Sequence, residues 1–142
     1  MSFDLKLLKG DLVLNNSGQV KIVQRNSKIR QDILKILLTD IGENKFHYYY
    51  GCKAGKLNIG SVLDQEFHRA KIEESVMSSL KNLISLQSAQ SKYQYVSPAE
   101  RILSISSVEA GRDETDPRMW NVFISVLTLE QEEVVETLAI RI

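Results

Sequence analysis

The sequence predicts an α+β domain: an N-terminal β-hairpin, two main helices of which the second is long, and a C-terminal three-stranded antiparallel sheet. Two changes of period carry this expectation. Apolar residues recur at spacings of three and four from Ile29 to Leu38 and again from Leu63 to Ile84, then at a spacing of two from Arg101 onward. Polar and glycine-containing clusters separate the segments where turns are needed. With 142 residues, one domain spanning 1–142 is expected, residues 1–95 forming the hairpin and helical part and 96–142 the junction and sheet.

In the opening stretch GDLVLNNSGQVKIVQ, Leu12, Val13 and Leu14 face Val20, Ile22 and Val23 across Asn15-Asn16-Ser17-Gly18. These turn residues tolerate left-handed backbone, so a small hairpin is expected. From Ser27 the period becomes helical, with Ile29, Ile33, Leu34, Ile36, Leu37 and Leu38 on one face. Ser27 or Asn26 would cap this helix and Gly42 would end it. The segment ENKFHYYYGCKAGKLNIG follows neither period and reads as an irregular, partly aromatic connection.

Ser61 and Asp64 resemble a capping box before a helix running to about Gln90. Its face would comprise Leu63, Phe67, Ala70, Met77, Leu80 and Ile84, with Ile72, Val76 and Leu83 beside it. About 30 residues at about 1.5 Å each exceed what a small domain needs, so the helix either breaks near His68 to Lys71 or projects toward a partner. Strands are expected at Arg101–Glu109, Met119–Leu129 and Val134–Ile142, joined by AGRDETDPR and EQEE.

The 18 basic and 18 acidic residues balance, which removes the bulk electrostatic argument for nucleic acid or an anionic membrane. A single cysteine, Cys52, suits a reducing compartment, and the beginning Met-Ser-Phe-Asp-Leu-Lys lacks the pattern of a secretion signal. A cytosolic protein is therefore expected. His47 and His68 lie far apart and share no metal-ligand spacing with Cys52. Glu43, Asp64, Glu66, Glu73, Glu74 and Glu100 supply carboxylates for glycosidase chemistry, yet Glu66, Glu73 and Glu74 read as a solvated helix face.

No nucleophile motif surrounds Ser106, Ser107 or Ser125. Gly51, Gly55 and Gly60 suggest a phosphate loop, but Leu57 follows Gly55-Lys56 where such a loop needs Ser or Thr. Tyr48, Tyr49 and Tyr50 suit a core edge or a protein interface better than base stacking. At the entry to the sheet, Glu100 and Arg101 stand together, and arginine's planar fork can hold a carboxylate or backbone carbonyls.

Taken in order, these segments resemble the baseplate wedge or sheath-initiator proteins of contractile phage tails and type VI secretion machines, a family also labelled lysozyme-like. The resemblance rests on GDLVLNNSGQVKIVQ, on IRQDILKILLTDIGE with Gln31, and on YYG at positions 49 to 51. The long helix, the acid and arginine at the helix-to-strand junction, and the terminal sheet extend it over most of the chain. The family typically docks onto neighbouring wedge subunits through Glu-Pro-Arg at that junction. Here the residues are Pro98-Ala99-Glu100-Arg101: Arg101 matches, Glu100 matches with one residue skipped, and the intervening proline is absent. Asp116-Pro117-Arg118 is a closer variant but lies in an expected hairpin loop one strand later, so the resemblance assigns docking to Glu100 and Arg101.

The resemblance further implies that the C-terminal sheet receives strands from the first sheath ring, a case of β-augmentation. Val134, Leu138, Ile140 and Ile142 would line one face and Val135, Thr137, Ala139 and Arg141 the other, with no proline and little charge to block pairing. A chain cut after Glu130 would then join wedge partners but fail to start sheath. The implied partners are baseplate wedge proteins and tail sheath subunits, with no nucleic acid, membrane, small-molecule substrate, metal or cofactor. The implied location is the virion tail baseplate, assembled in the host cytoplasm, and the implied role is non-enzymatic. A peptidoglycan hydrolase and a generic protein adaptor using the tyrosines and long helix stay open as alternatives.

Overall fold

A computed structural model describes residues 3–56 and 65–141. Its elements are four two-residue strands, β1 (Asp4–Leu5), β2 (Leu7–Leu8), β3 (Asp11–Leu12) and β4 (Ile22–Val23), then helices α1 (Arg25–Leu38) and α2 (Gln65–Gln90). Three long strands follow, β5 (Ile102–Arg112), β6 (Met119–Thr128) and β7 (Glu133–Arg141), in the order β5-β6-β7 and antiparallel throughout. This is the α+β arrangement that the periods of the sequence predict.

The expected hairpin across Asn15–Gly18 is present at its tip, where Leu14 bridges Val20 and the Asn15 carboxamide oxygen accepts from Ser17 N–H, Ser17 Oγ and Gln19 N–H, but Leu12 pairs with Leu7, and Ile22 and Val23 pair with Leu5 and Asp4, instead of with one another. It belongs to a larger meander. β1 pairs with β4, while β2 and β3 form a second hairpin through Lys9-Gly10, both at positive φ (52° and 84°) as a two-residue turn of matching twist requires. No Asn-Gly or Asp-Gly announces that turn, which is why periodicity alone passes over it.

α1 begins at Arg25, two residues before the expected start, and neither Ser27 nor Asn26 caps it; its N-cap is Gln24, which makes no side-chain cap bond. The helix ends at Leu38 with Thr39 extended, and the Thr39 hydroxyl closes onto Lys35 O at 2.6 Å. Gly42 (φ 89°) serves the following loop instead, where its N–H bonds Tyr48 O. Ile29, Ile33, Ile36 and Leu37 are buried as expected, whereas Leu38 is exposed.

α2 is continuous through His68–Lys71, with no break there. Its buried face is Ile72, Val76, Ser79, Leu80, Leu83 and Gln87. The row Phe67, Ala70, Met77, Ile84 lies on the flank, with Phe67 and Ala70 exposed. Ser61, Leu63, Asp64 and Gly60 fall outside the described residues. Packing decides this: the residues expected to lie beside the main face, Ile72, Val76 and Leu83, are the ones that meet α1 and the sheet in one apolar cluster containing Trp120, Val122, Ile124 and Val126 of β6.

The connection between the helices is irregular but tightly anchored. Cys52 N–H bonds Thr39 O at 2.8 Å, Asp40 and Cys52 form a parallel bridge, and Ser79 Oγ donates to Gly51 O at 2.8 Å. No described helix is long and apolar enough to cross a membrane.

Candidate functional site

The sheet has two edges, and their chemistry differs. β5 departs from regular register at Ile102/Ser104 and Ile105/Ser107, and bulges of this kind disrupt an edge as a pairing template. Side chains of α2 also occupy it. Glu73 Oε1 accepts the Ala110 N–H at 2.9 Å, and Gln87 Oε1 accepts the Ile102 N–H at 2.9 Å while its Nε2 donates to Glu100 O at 3.1 Å.

β7 is regular along its whole length, from Leu127↔Glu133 to Met119↔Arg141. Hydrogen-bonded and non-bonded pairs alternate in an antiparallel ladder. Thr128 N–H bonds Glu132 O at 2.9 Å, one step before the strand, so Val134, Glu136, Leu138 and Ile140 are the residues bonded to β6. Val135, Thr137, Ala139 and Arg141 therefore turn their backbone groups outward. Among the described residues no strand takes them up. One outward donor is occupied locally: Thr137 N–H bonds the Glu136 carboxylate at 3.1 Å, and with Glu133, Glu136 and Arg141 the strand carries three charged side chains where the sequence suggested little charge.

The two faces of β7 separate as expected. Val134, Leu138 and Ile140 are buried in the apolar cluster, while Val135, Thr137, Ala139 and Arg141 are exposed; Ile142 lies outside the described residues. On the helix-free face Phe123 is 50% exposed and Val135 51%. Since Ser125 opposes Val135 and Phe123 opposes Thr137, these two are diagonal neighbours and make an apolar step beside the open edge.

Glu100 and Arg101 are close in sequence but not joined. Glu100 is 2% exposed, and its Oε1 accepts the Arg25 N–H at 3.1 Å, so this carboxylate caps α1 from another part of the chain. A negative group there also suits the partial positive charge of a helix start. Glu100 Oε2 is buried with no hydrogen-bond partner among the described residues. Arg101 is half-buried and forms no ion pair with Glu100; its backbone carbonyl accepts from Leu129 N–H at 3.1 Å. No sequence spacing links residue 25 to residue 100, which hides the cap from sequence reading.

The remaining candidates separate in space or are engaged structurally. Glu66 and Glu74 pair with Arg69 and Lys71 on the exposed side of α2. Tyr48 and Tyr49 are exposed, while Tyr50 packs against the core beside Lys35. Burial and the nearby Asp32 and Asp4 carboxylates push the Tyr50 hydroxyl above its usual value against the opposing pull of Lys35. Asp116-Pro117-Arg118 forms the β5–β6 turn, with Asp116 Oδ1 accepting the Arg118 N–H. Among the described residues no three of His, Cys, Asp and Glu gather as metal ligands.

The fold defines a class: a two-helix layer on one face of an open three-stranded sheet, with one edge bulged and bonded at two points by α2 and the other taken up by no strand among the described residues. The same fold occurs in a Geobacter sulfurreducens protein whose crystal structure is provisionally described as that of a tail lysozyme, at TM-score 0.61 and 17% identity, covering 93% of this chain and 96% of that one. At that identity the likeness shows a shared fold. No protein-family profile matches the chain, and no curated protein matches it.

Proposed function

We propose that this chain is a structural component of a contractile tail that starts sheath polymerisation by accepting a strand at the outer edge of β7, in a baseplate assembled in the host cytoplasm. The observation that carries the reading is the asymmetry of the sheet. α2 fills two donors of β5, those of Ile102 and Ala110, and β5 is bulged between them, whereas β7 leaves a regular row of outward backbone groups beside Phe123 and Val135. An incoming strand would gain main-chain bonds along that row and seat alternate side chains on the apolar step. The tail context draws support from the likeness to the Geobacter protein and from the order of the sequence segments.

In this reading wedge contacts fall to the helical part and to the exposed portion of Arg101. Glu100 acts behind them, holding the start of α1 rather than touching a partner. A non-enzymatic role fits the use of its acids: Glu73 and Glu100 accept backbone N–H groups, and Glu66 and Glu74 lie on an exposed helix face. A glycosidase needs two carboxylates about 5–10 Å apart across a cleft.

Cutting the chain after Glu130 would remove Val134, Leu138 and Ile140 from the core, so that deletion cannot isolate edge pairing from folding. Ala139→Pro is the cleaner test, because proline deletes an outward donor and leaves the ladder to β6 intact. It should fold, bind wedge proteins and fail to seed sheath in vitro. Normal seeding by a folded Ala139→Pro chain would refute strand addition, and peptidoglycan digestion abolished by Glu43→Gln or Glu66→Gln would favour the hydrolase.

A further inference from the structure

A second surface shares no residue with β7. Between the β1–β4 meander and α1 lies an open groove of about 1180 Å³. Its floor is apolar, from Leu7, Val20 and Ile22 on the strands and Leu34 and Leu38 on the helix; Ile22 and Leu38 are 49% and 66% exposed. Its cations are Lys6, Lys9, Lys21, Arg30 and Lys35, and no Asp or Glu lines it among the described residues. Lys35 is paired with Asp4 and Asp32, while the other four have no carboxylate partner among the described residues.

The meander cannot bury its own apolar residues. Phe3, Leu5, Leu8, Leu12 and Leu14 are exposed as well, and of its strand residues only Val23 is buried. Contiguous exposure on this scale marks a surface that another molecule covers. Charge indicates what kind. Residues 1–38 hold seven basic and three acidic side chains, and the remainder hold eleven and fifteen, so the zero total conceals a basic end.

We infer that this groove binds an acidic amphipathic peptide segment of a partner protein, its leucine-like residues seated on the floor and its carboxylates meeting Lys6, Lys9, Lys21 and Arg30. Both features are required together. A polyanion such as duplex DNA satisfies the cations but leaves the apolar floor wet, and a neutral apolar segment leaves the cations unmatched. The inference stands apart from strand addition at β7, since neither surface contributes a residue to the other.

Selection of random peptides of about 16 residues, displayed on phage and panned against the folded chain, tests it. Enriched peptides should carry excess Asp and Glu with apolar residues at spacings of three and four. A synthetic peptide from that set should bind at least tenfold more weakly to Lys21→Glu/Arg30→Glu and equally well to Arg118→Glu in the β5–β6 turn, circular dichroism confirming that both variants fold. No enrichment, enrichment of neutral or basic peptides, or binding indifferent to the double substitution would overturn the inference. So would tighter binding of duplex DNA than of the peptide. Self-association abolished by the same double substitution would also overturn it, assigning the groove to a second copy of the chain.

Discussion

Gly51 has φ 128°, and a Cβ there would meet Thr39 O at 2.7 Å and the Asp40 carbonyl carbon at 2.8 Å. Gly51→Ala should therefore lower stability by about 1–3 kcal/mol or more, read from the urea midpoint, because both the dihedral and the contact are unfavourable. Gln87 gives a second residue-scale expectation. Its amide serves Glu100 O and Ile102 N–H in a buried place, so Gln87→Ala leaves both unpaired at about 1–3 kcal/mol each, and Gln87→Glu, which sets a carboxylate oxygen against Glu100 O, should not restore the loss. A loss below about 1 kcal/mol for Gln87→Ala, read from the urea midpoint, would contradict this role. Such residues are poorly legible in sequence. Gln87 reads there as one more polar position of a long helix, and its function depends on a strand that begins fifteen residues later.

Among the elements, the meander is tied to α1 chiefly through Gln31. Its side chain accepts the Leu7 N–H at 2.8 Å and donates to Leu5 O at 2.7 Å and Asp4 Oδ2 at 3.0 Å. Burial pushes the Asp4 carboxyl up, but the Lys35 hydrogen bond and charge, with the Leu5 N–H and Gln31, outweigh it and hold Asp4 below its ordinary 3.8. Burial likewise pulls the Lys35 ammonium down, and the Asp4 bond with the Asp32 and Asp4 charges lifts it above 10.5. A depressed carboxyl stabilises above 3.8 and loses that contribution as pH falls through its folded value; a raised ammonium stabilises below 10.5 and loses it as pH rises through its own. The tie should thus persist across the interval between and release the meander in strong acid. The protection of the Leu7 amide, its exchange taken relative to the intrinsic rate at each pH, should fall below about pH 4 before that of the β6 amides does, and simultaneous release would contradict the local tie. The long elements were legible because burial imposes a period on them. The two-residue strands β1 and β2 were not, since Leu5, Leu7 and Leu8 stay exposed and no alternation survives to be read.

For the molecule as a whole, the decisive property is where hydrogen-bonding capacity remains unspent. Glu73 and Gln87 of α2 bond two donors of β5 on one flank of the sheet, and on the other flank, among the described residues, Glu136 takes one outward donor of β7. The sequence made the alternating faces of β7 visible, Val134, Leu138 and Ile140 inward, yet could not tell which edge was open, because that follows from strand order and from the seat of α2. It also signalled Glu100 and Arg101 as a unit, and the fold divides them between the interior and the surface. The central claim is that Val135, Thr137, Ala139 and Arg141 bond to another chain's strand. Amide hydrogen exchange of these four residues, measured by NMR with and without a tail sheath subunit, tests it most directly. Their exchange should slow at least tenfold on sheath addition, with Leu138 and Ile140 little changed because β6 already protects them; sheath bound with the four outward amides exchanging as before would contradict strand addition at β7.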